Sequence, residues 1–162
     1  MKKLIDEIEV LRKLRHESML KLYRVYEDPE YVHLVTDLAT GETLFTRVLK
    51  RKKFSEKNAS GLMLNLLSAV NYIHSYRYVH RDIKLENILM LDDTDDSKIL
   101  LADFGLACEV TGAMLKLKCG SPGWMAPEMI HEPDYGTKID VFSCGLLLYI
   151  ILSGISPFPG QS

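Results

Sequence analysis

The stretch from Val141 to Leu152 is apolar almost without interruption, and no other stretch constrains the fold as much. Its longest unbroken run, Leu146 to Leu152, falls far short of the ~20 residues that a membrane span needs. The segment therefore reads as a helix apolar nearly all round, buried in a core. A chain of 162 residues can supply such a core as about one domain. Apolar residues make up 47% and charged residues 26%, which argues against bulk disorder.

Charge and cysteine usage narrow the class further. Twenty Lys and Arg stand against 22 Asp and Glu, a formal net charge of −2. That balance lacks the electrostatic footprint of a nucleic-acid binder. Cys108, Cys119 and Cys144 form no Cys-x-x-Cys pair, and an odd count without a framework points to a reducing compartment. Met1-Lys2-Lys3 leads into Leu4, Ile5 and then acids, not into an apolar signal segment. The expectation is a soluble cytoplasmic protein, with the nucleus also open to it, and no nucleic-acid or membrane partner.

Periodicity places the elements. Leu4, Ile5, Ile8, Leu11 and Leu14 predict an amphipathic helix from residue 2 to about 15. Leu20 to Tyr26 and Tyr31 to Val35 read as strands joined by a turn at Asp28-Pro29, a hairpin in which Tyr23, Tyr26 and Tyr31 serve hairpin and core packing. Gly41 breaks the chain. Ser55 caps a long helix carrying Ala59, Leu62, Met63, Leu66, Ala69, Val70 and Ile73 at i, i+3, i+4, i+7 spacing. Residues 77–110 read as short strands and loops. Within them Asp92-Asp93-Thr94-Asp95-Asp96 is a solvated turn, since the Gly and Glu of a calcium loop are missing from their positions.

Three blocks carry the chemistry: His80-Arg81-Asp82 with Asn87 five residues after the acid, Asp103-Phe104-Gly105, and Ala126-Pro127-Glu128. At ~5% usage per residue, the seven fixed residues of the first two blocks arise by chance at ~10⁻⁹ per placement. These residue types suit phosphoryl transfer, in which the protein positions groups and neutralises spread charge. Asp82 can accept the proton of an attacking hydroxyl. Asn87 and Asp103 are hard oxygen ligands for Mg²⁺ carried by nucleotide phosphates. Lys84 can place its ammonium on the transferring phosphate. Gly105 lets the chain turn sharply after the metal ligand.

These blocks are the signatures of protein kinases, and the chain resembles the eukaryotic protein kinases. Lys84, with Ser121 in Cys119-Gly120-Ser121-Pro122-Gly123-Trp124, is similar to the serine/threonine branch. Leu44-Phe45-x-Arg47, Ser55-Glu56-Lys57-x-Ala59, Asp96-Ser97-Lys98-Ile99 and Leu152-Ser153-Gly154-x-x-Pro157-Phe158 resemble the calcium/calmodulin-dependent group. The resemblance implies an α+β, bilobal kinase-like fold. Residues 1–36 would be a remnant of the small lobe, 37–43 the hinge, and 44–162 the mainly helical large lobe, incomplete at its C-terminal end.

The same resemblance assigns roles. Glu7 is the helix glutamate that pairs with a strand lysine. Leu11, Leu22, His80 and Phe104 form a stacked column between lobes, with His80 a packed structural imidazole. Thr36 is the gatekeeper, Asp37 to Ala39 meet adenine, and Leu89 lies under its ring. Glu86 belongs to the nucleotide and substrate rim. Asp140 is the buried acid that holds the loop around Asp82, Glu128 is the partner of a distant arginine, and Ser121 hydrogen-bonds near Asp82 and Lys84. ATP, Mg²⁺ and a protein substrate presenting Ser or Thr follow as cofactors and partners, with calmodulin acting through a segment outside these residues.

Departures from the family pattern shape the expectation. No Gly-x-Gly-x-x-Gly and no Val-Ala-Ile-Lys precede Glu7, and both ends read as cut. The alternative to an active catalytic core is therefore a weak or inactive kinase-like binding or regulatory module. Gly41-Glu42-Thr43 stands where the family has Gly-Gly-Glu, which displaces the glutamate that would read a basic substrate residue. Leu117 occupies the position that relatives phosphorylate, leaving Arg81 with no phosphate to clamp and Glu109 as its local counter-ion.

Overall fold

A computed structural model describes residues 2–112, 115–132 and 134–158. Met1 and residues 159–162, the end of the closing Pro157–Ser162 stretch, lie outside the described residues.

Helix α1 (Lys2–Lys13) opens the described chain. It buries Val10 and Leu11, and Leu14 follows them into the core, while Ile5 is exposed. Strands β1 (Leu22–Glu27) and β2 (Val32–Thr36) pair antiparallel, Tyr26 opposite His33. Their turn forms because Asp28 Oδ1 accepts from the Glu30 and Tyr31 amides at 2.8 and 2.9 Å. Tyr23, Tyr26 and Tyr31 are exposed on this hairpin, not packed in a core as the sequence predicted. Among the described residues no third strand pairs with this hairpin.

Helix α2 (Leu44–Arg51) is an element that periodicity missed. Two turns are too few to show a 3.6-residue repeat. Its start is chemical: Thr43 Oγ1 accepts the Thr46 amide at 3.2 Å. Helix α3 (Glu56–Ser75) follows, capped by Ser55 Oγ on the Asn58 amide at 3.2 Å. Its buried residues are Ala59, Leu62, Met63, Leu66, Ala69, Val70 and Ile73, the stripe read from the sequence.

Short pieces then build the loops. Strand β3 (Tyr78–Val79) is followed by a single 3₁₀ turn at Leu85–Asn87 and by β4 (Ile88–Met90). Strands β5 (Ile99–Leu101) and β6 (Cys108–Glu109) pair with β4 and β3 respectively, both antiparallel. Leu101 also exchanges backbone bonds with the segment after α1: its amide donates to Ser18 O and its carbonyl accepts from the Leu20 amide, both at 2.9 Å. That joint fixes α1 and the hairpin on the larger part.

Helices α4 (Pro127–His131) and α5 (Lys138–Ser153) complete the fold. Helix α5 packs on α3 and buries Leu147, Ile150 and Ile151 among others in a core shared with Leu62, Leu66, Leu11 and Phe104. Burial is one-sided: Val141 is 50% and Tyr149 46% exposed, so the all-round burial predicted for this segment does not hold. Gly154 closes α5 with φ of 80°, and a Cβ there would lie 2.6 Å from Lys52 O.

The acidic run is also more than a solvated turn. Asp92 does cap a turn through the Thr94 and Asp95 amides. Asp96 is instead buried and accepts from Arg47 Nη1 at 3.1 Å, from Asn58 Nδ2 at 2.8 Å and from Arg51. Arg47, itself buried, also reaches Glu42 Oε1 at 2.8 Å and Asp93 Oδ1 at 2.6 Å. Lys50 first, and then Arg47, hold the Glu42 carboxyl below its ordinary range. Glu42 is thus spent on internal ion pairs. The network ties α2, α3 and the β4–β5 turn together. Removing Asp96 leaves the buried Nη1 of Arg47 and the Nδ2 of Asn58 without their acceptor. We expect Asp96→Ala to lower stability by about 3 kcal/mol in chemical denaturation, whereas a loss below ~1 kcal/mol would put it in the range of surface pairs.

Candidate active site

One carboxylate organises the site. Asp140, in the first turn of α5, is 1% exposed. Its Oδ2 accepts from the His80 amide at 2.9 Å and faces His74 Nε2 at 2.8 Å, and its Oδ1 accepts from the Arg81 amide at 2.9 Å. The helix N-terminus adds a favourable dipole to the buried charge. The three bonds pin the loop after β3 with Arg81 at φ of 69°, a left-handed backbone that costs of order 1–3 kcal/mol and persists only where the surroundings enforce it.

His80 is fully buried, edge-on to Phe104 with ring centroids 4.9 Å apart. Burial pushes its pKa down, against the pull of Asp140. Nε2 sits 3.2 Å from Ala102 O and Nδ1 accepts from the Asp82 amide at 3.3 Å, which assigns the neutral ring with its proton on Nε2. It acts as a packed strut with no free nitrogen for proton transfer.

Asp82 stands at the centre of four polar groups. Oδ1 accepts from the Ser121 amide at 3.0 Å and from Ser121 Oγ at 2.8 Å. Oδ2 accepts from Lys84 Nζ at 2.8 Å and Asn87 Nδ2 at 3.1 Å. Lys84 Nζ also donates to Ser121 Oγ at 2.7 Å. Burial raises the Asp82 pKa, but bonds from Lys84, Ser121 and Asn87, with the Lys84 charge, outweigh it and leave it below the ordinary carboxylate value. Gly120, at φ of 112°, brings Ser121 in: a Cβ there would lie 2.8 Å from Arg81 O.

The β4–β5 ladder brings in the second acid. Ile88 pairs with Leu101, and the Ala102 amide donates to Asn87 O at 2.9 Å. Asn87 and Asp103 therefore sit at the same end of one ladder. Asn87 spends its Nδ2 on Asp82 O and Oδ2, so Oδ1 meets no donor among the described residues. Asp103, at φ of 60°, uses Oδ1 only to accept the Gly105 amide at 3.3 Å. Two hard oxygen donors remain, a set that suits Mg²⁺ brought by phosphates, because that ion keeps several waters.

The other predicted residues lie at stated places around this centre. Glu7 lies beside the Asp103–Gly105 turn, its Oε2 3.8 Å from where a Cβ on Gly105 would stand. Leu11, Leu22 and Phe104 are buried in one core. Thr36 and Asp37 end the hairpin, where Asp37 is occupied by the Lys21 amide at 2.9 Å and Tyr23 Oη at 2.7 Å. Ala39 is half-buried, Leu89 pairs with Leu100 in the β4–β5 ladder, and Glu86 is exposed one residue from Asn87. Glu128 is half-buried at α4, with no ion pair among the described residues. Glu109 does not serve Arg81: it accepts from Tyr78 Oη at 3.3 Å, while Arg81 donates to Leu106 O at 2.6 Å and Tyr135 Oη at 3.3 Å. The neutral acceptors satisfy the guanidinium geometrically, so the expected counter-ion is not used.

His74 and Tyr135 escaped the sequence reading. Neither has a local signal, since their partners lie 66 and 54 residues away in the chain. Gly120 was legible inside the Cys119–Trp124 block but went unremarked.

Glu7 yields a test. Burial, then the charge of Asp103, push its pKa up, so ionised Glu7 opposes folding. That cost is present above its folded-state pKa and is relieved as pH falls through it. Glu7→Gln, which keeps the side chain's shape and removes its charge, should be more stable than wild type at pH 7, with the gap closing near pH 4. Urea titrations at both pH values check this, and an equal or lower stability at pH 7 would contradict it.

The protein kinase domain family matches residues 1–162. A calcium/calmodulin-dependent protein kinase type 1 from Caenorhabditis briggsae is 41% identical over 157 residues, 97% of this chain and 44% of that relative. The type 1B kinase of Homo sapiens is 43% identical over 157 residues, 97% of this chain and 46% of the relative. Serine/threonine-protein kinase DCLK1 of Rattus norvegicus is 42% identical over 157 residues, 96% of this chain and 36% of its own length. The chain spans less than half the length of these relatives. With the family matched from end to end and its blocks gathered around Asp82 and Asp103, this chain belongs to the protein kinase domain family.

Proposed function

We propose that this chain carries the catalytic core of a serine/threonine protein kinase, transferring the γ-phosphoryl group of ATP to a protein hydroxyl. The observation that carries the reading is the four-donor cradle on Asp82, set beside two free hard oxygens on Asn87 and Asp103.

In the proposed reaction a Ser or Thr oxygen bonds to the γ-phosphorus, the bond to the β,γ-bridging oxygen breaks, and ADP leaves with the electron pair. The hydroxyl proton passes to Asp82. With its pKa held below the ordinary value, Asp82 is a weak base that orients the hydroxyl and takes the proton late. Lys84 supplies positive charge within reach of the transferring group. Asn87 Oδ1 and Asp103 would hold Mg²⁺, which neutralises phosphate charge. Thr36, Asp37, Ala39 and Leu89 would frame adenine, and exposed Glu86 would meet a basic residue of the substrate. The relatives' printed names support calmodulin control through a segment outside these residues, and the free cysteines support a cytoplasmic or nuclear setting.

Radiolabelled ATP transfer to a generic Ser/Thr protein substrate tests the reading. Asp82→Asn should lower Mg²⁺-dependent transfer by at least ~10²-fold with the thermal midpoint within a few degrees of wild type. Equal rates in both would overturn the role of Asp82. A folded wild-type chain that transfers nothing would favour the binding-module reading. The acid limb of the rate should lie below ~pH 4, since the depressed pKa keeps Asp82 ionised down through the ordinary carboxylate range.

A further inference from the structure

The described residues between Asp103 and Ser121 form only the short strand β6, yet Ser121 meets Asp82 within hydrogen-bond distance. β3 and Arg77 hold its first half, through β6 and the Val110 amide, and Tyr135 holds the stretch around residues 115–117. Tyr135, 2% exposed, packs its ring in a small cluster with Val79, Ala126, Met129 and Ile139. Its backbone exchanges two bonds with Leu115: the Leu115 amide donates to Tyr135 O at 2.9 Å, and the Tyr135 amide to Leu115 O at 2.8 Å. Its hydroxyl donates to Leu117 O and accepts from Arg81 Nη1 at 3.3 Å. Arg81 is itself fixed by Asp140 through its amide and by Leu106 O through Nε.

A continuous path of bonds therefore runs from the buried acid through Arg81 and the Tyr135 phenol to the backbone at residue 117. We propose that Tyr135 is a positioning residue: its hydroxyl ties the Ser121-bearing segment to Arg81 and so sets Ser121 against Asp82 and Lys84 with no modification of the segment. Leu117 contributes its carbonyl to this tie. Its side chain is 63% exposed and plays no part in it. Arg81 finds its partners in neutral oxygens, so no anion has to arrive at residue 117 for the guanidinium to be held.

The inference rests on the phosphotransfer reading for its effect on rate, but the tie itself can be read without catalysis. In the full 162-residue chain, Tyr135→Phe keeps the ring and removes the hydroxyl. Exchange of the Leu115 amide, which donates to Tyr135 O, should rise at least about fivefold, the factor that follows from losing one net hydrogen bond, with α3 and α5 unchanged. Arg81→Lys, which loses the forked donor, should speed exchange of the same amide. Leu117→Ala, which keeps the carbonyl, should exchange as wild type does. Where transfer is measurable, Tyr135→Phe should lower kcat severalfold with the KM for ATP unchanged, since Ser121 and not the nucleotide site is displaced. Wild-type exchange in Tyr135→Phe and Arg81→Lys would overturn the proposal, as would Leu117→Ala loosening the segment as much as Tyr135→Phe. Absence of transfer in every variant counts against the phosphotransfer reading, and the exchange pattern still decides the tie.

Discussion

A single buried carboxylate, Asp140, holds the loop after β3 in a shape it would not take alone. Three donors from two other parts of the chain end on it, His74 at the close of α3 and the His80 and Arg81 amides after β3. A charge at 1% exposure is costly unless each lone pair is met. The same need works in reverse on the loop, whose amides have no strand partner at that point. Satisfying both at once fixes Arg81 in a left-handed conformation and sets the buried Asp82 against Ser121, Lys84 and Asn87.

Everything downstream uses that geometry. Neutral His80 bridges Asp82 to Ala102 and packs on Phe104, so the two acid-bearing loops share one rigid joint. The β4–β5 ladder then adds Asn87 and Asp103 from its common end. Asp103, like Arg81, has positive φ, and a pair of strained non-glycine residues flanking one polar centre is what a preorganised site requires. Gly120 allows the approach of Ser121 that closes the cradle, because any side chain there would meet Arg81 O. The energy stored in these positions is supplied by the core around Leu62, Leu66, Leu147 and Phe104, far larger than any one bond in the loop.

What the sequence made legible was local. Ser55 and the apolar stripe of α3 lie within one helix, and the three motif blocks encode their loops in adjacent residues, so both could be read directly. Helix α2 was too short to show its period. Asp96 looked like one acid among several in a turn; its burial depends on Arg47 and Arg51 in a different element. The exposed side of α5 escaped notice because an apolar composition does not say which neighbours are present. Arg81 was given a charged neighbour, Glu109, by proximity in the chain. Its real partners, Leu106 O and Tyr135 Oη, are set by tertiary packing.

The account stands on Asn87 and Asp103 forming one oxygen-donor site next to Asp82. Paramagnetic broadening locates such a site directly: Mn²⁺ with ATP is titrated into the isotopically labelled chain, and amide and side-chain resonances are followed by nuclear magnetic resonance. The account predicts broadening centred on Asn87 and Asp103, with Asp82, Lys84 and Ser121 affected next. Broadening centred instead on the acidic run Asp92–Asp96, or spread evenly with no centre, would contradict it.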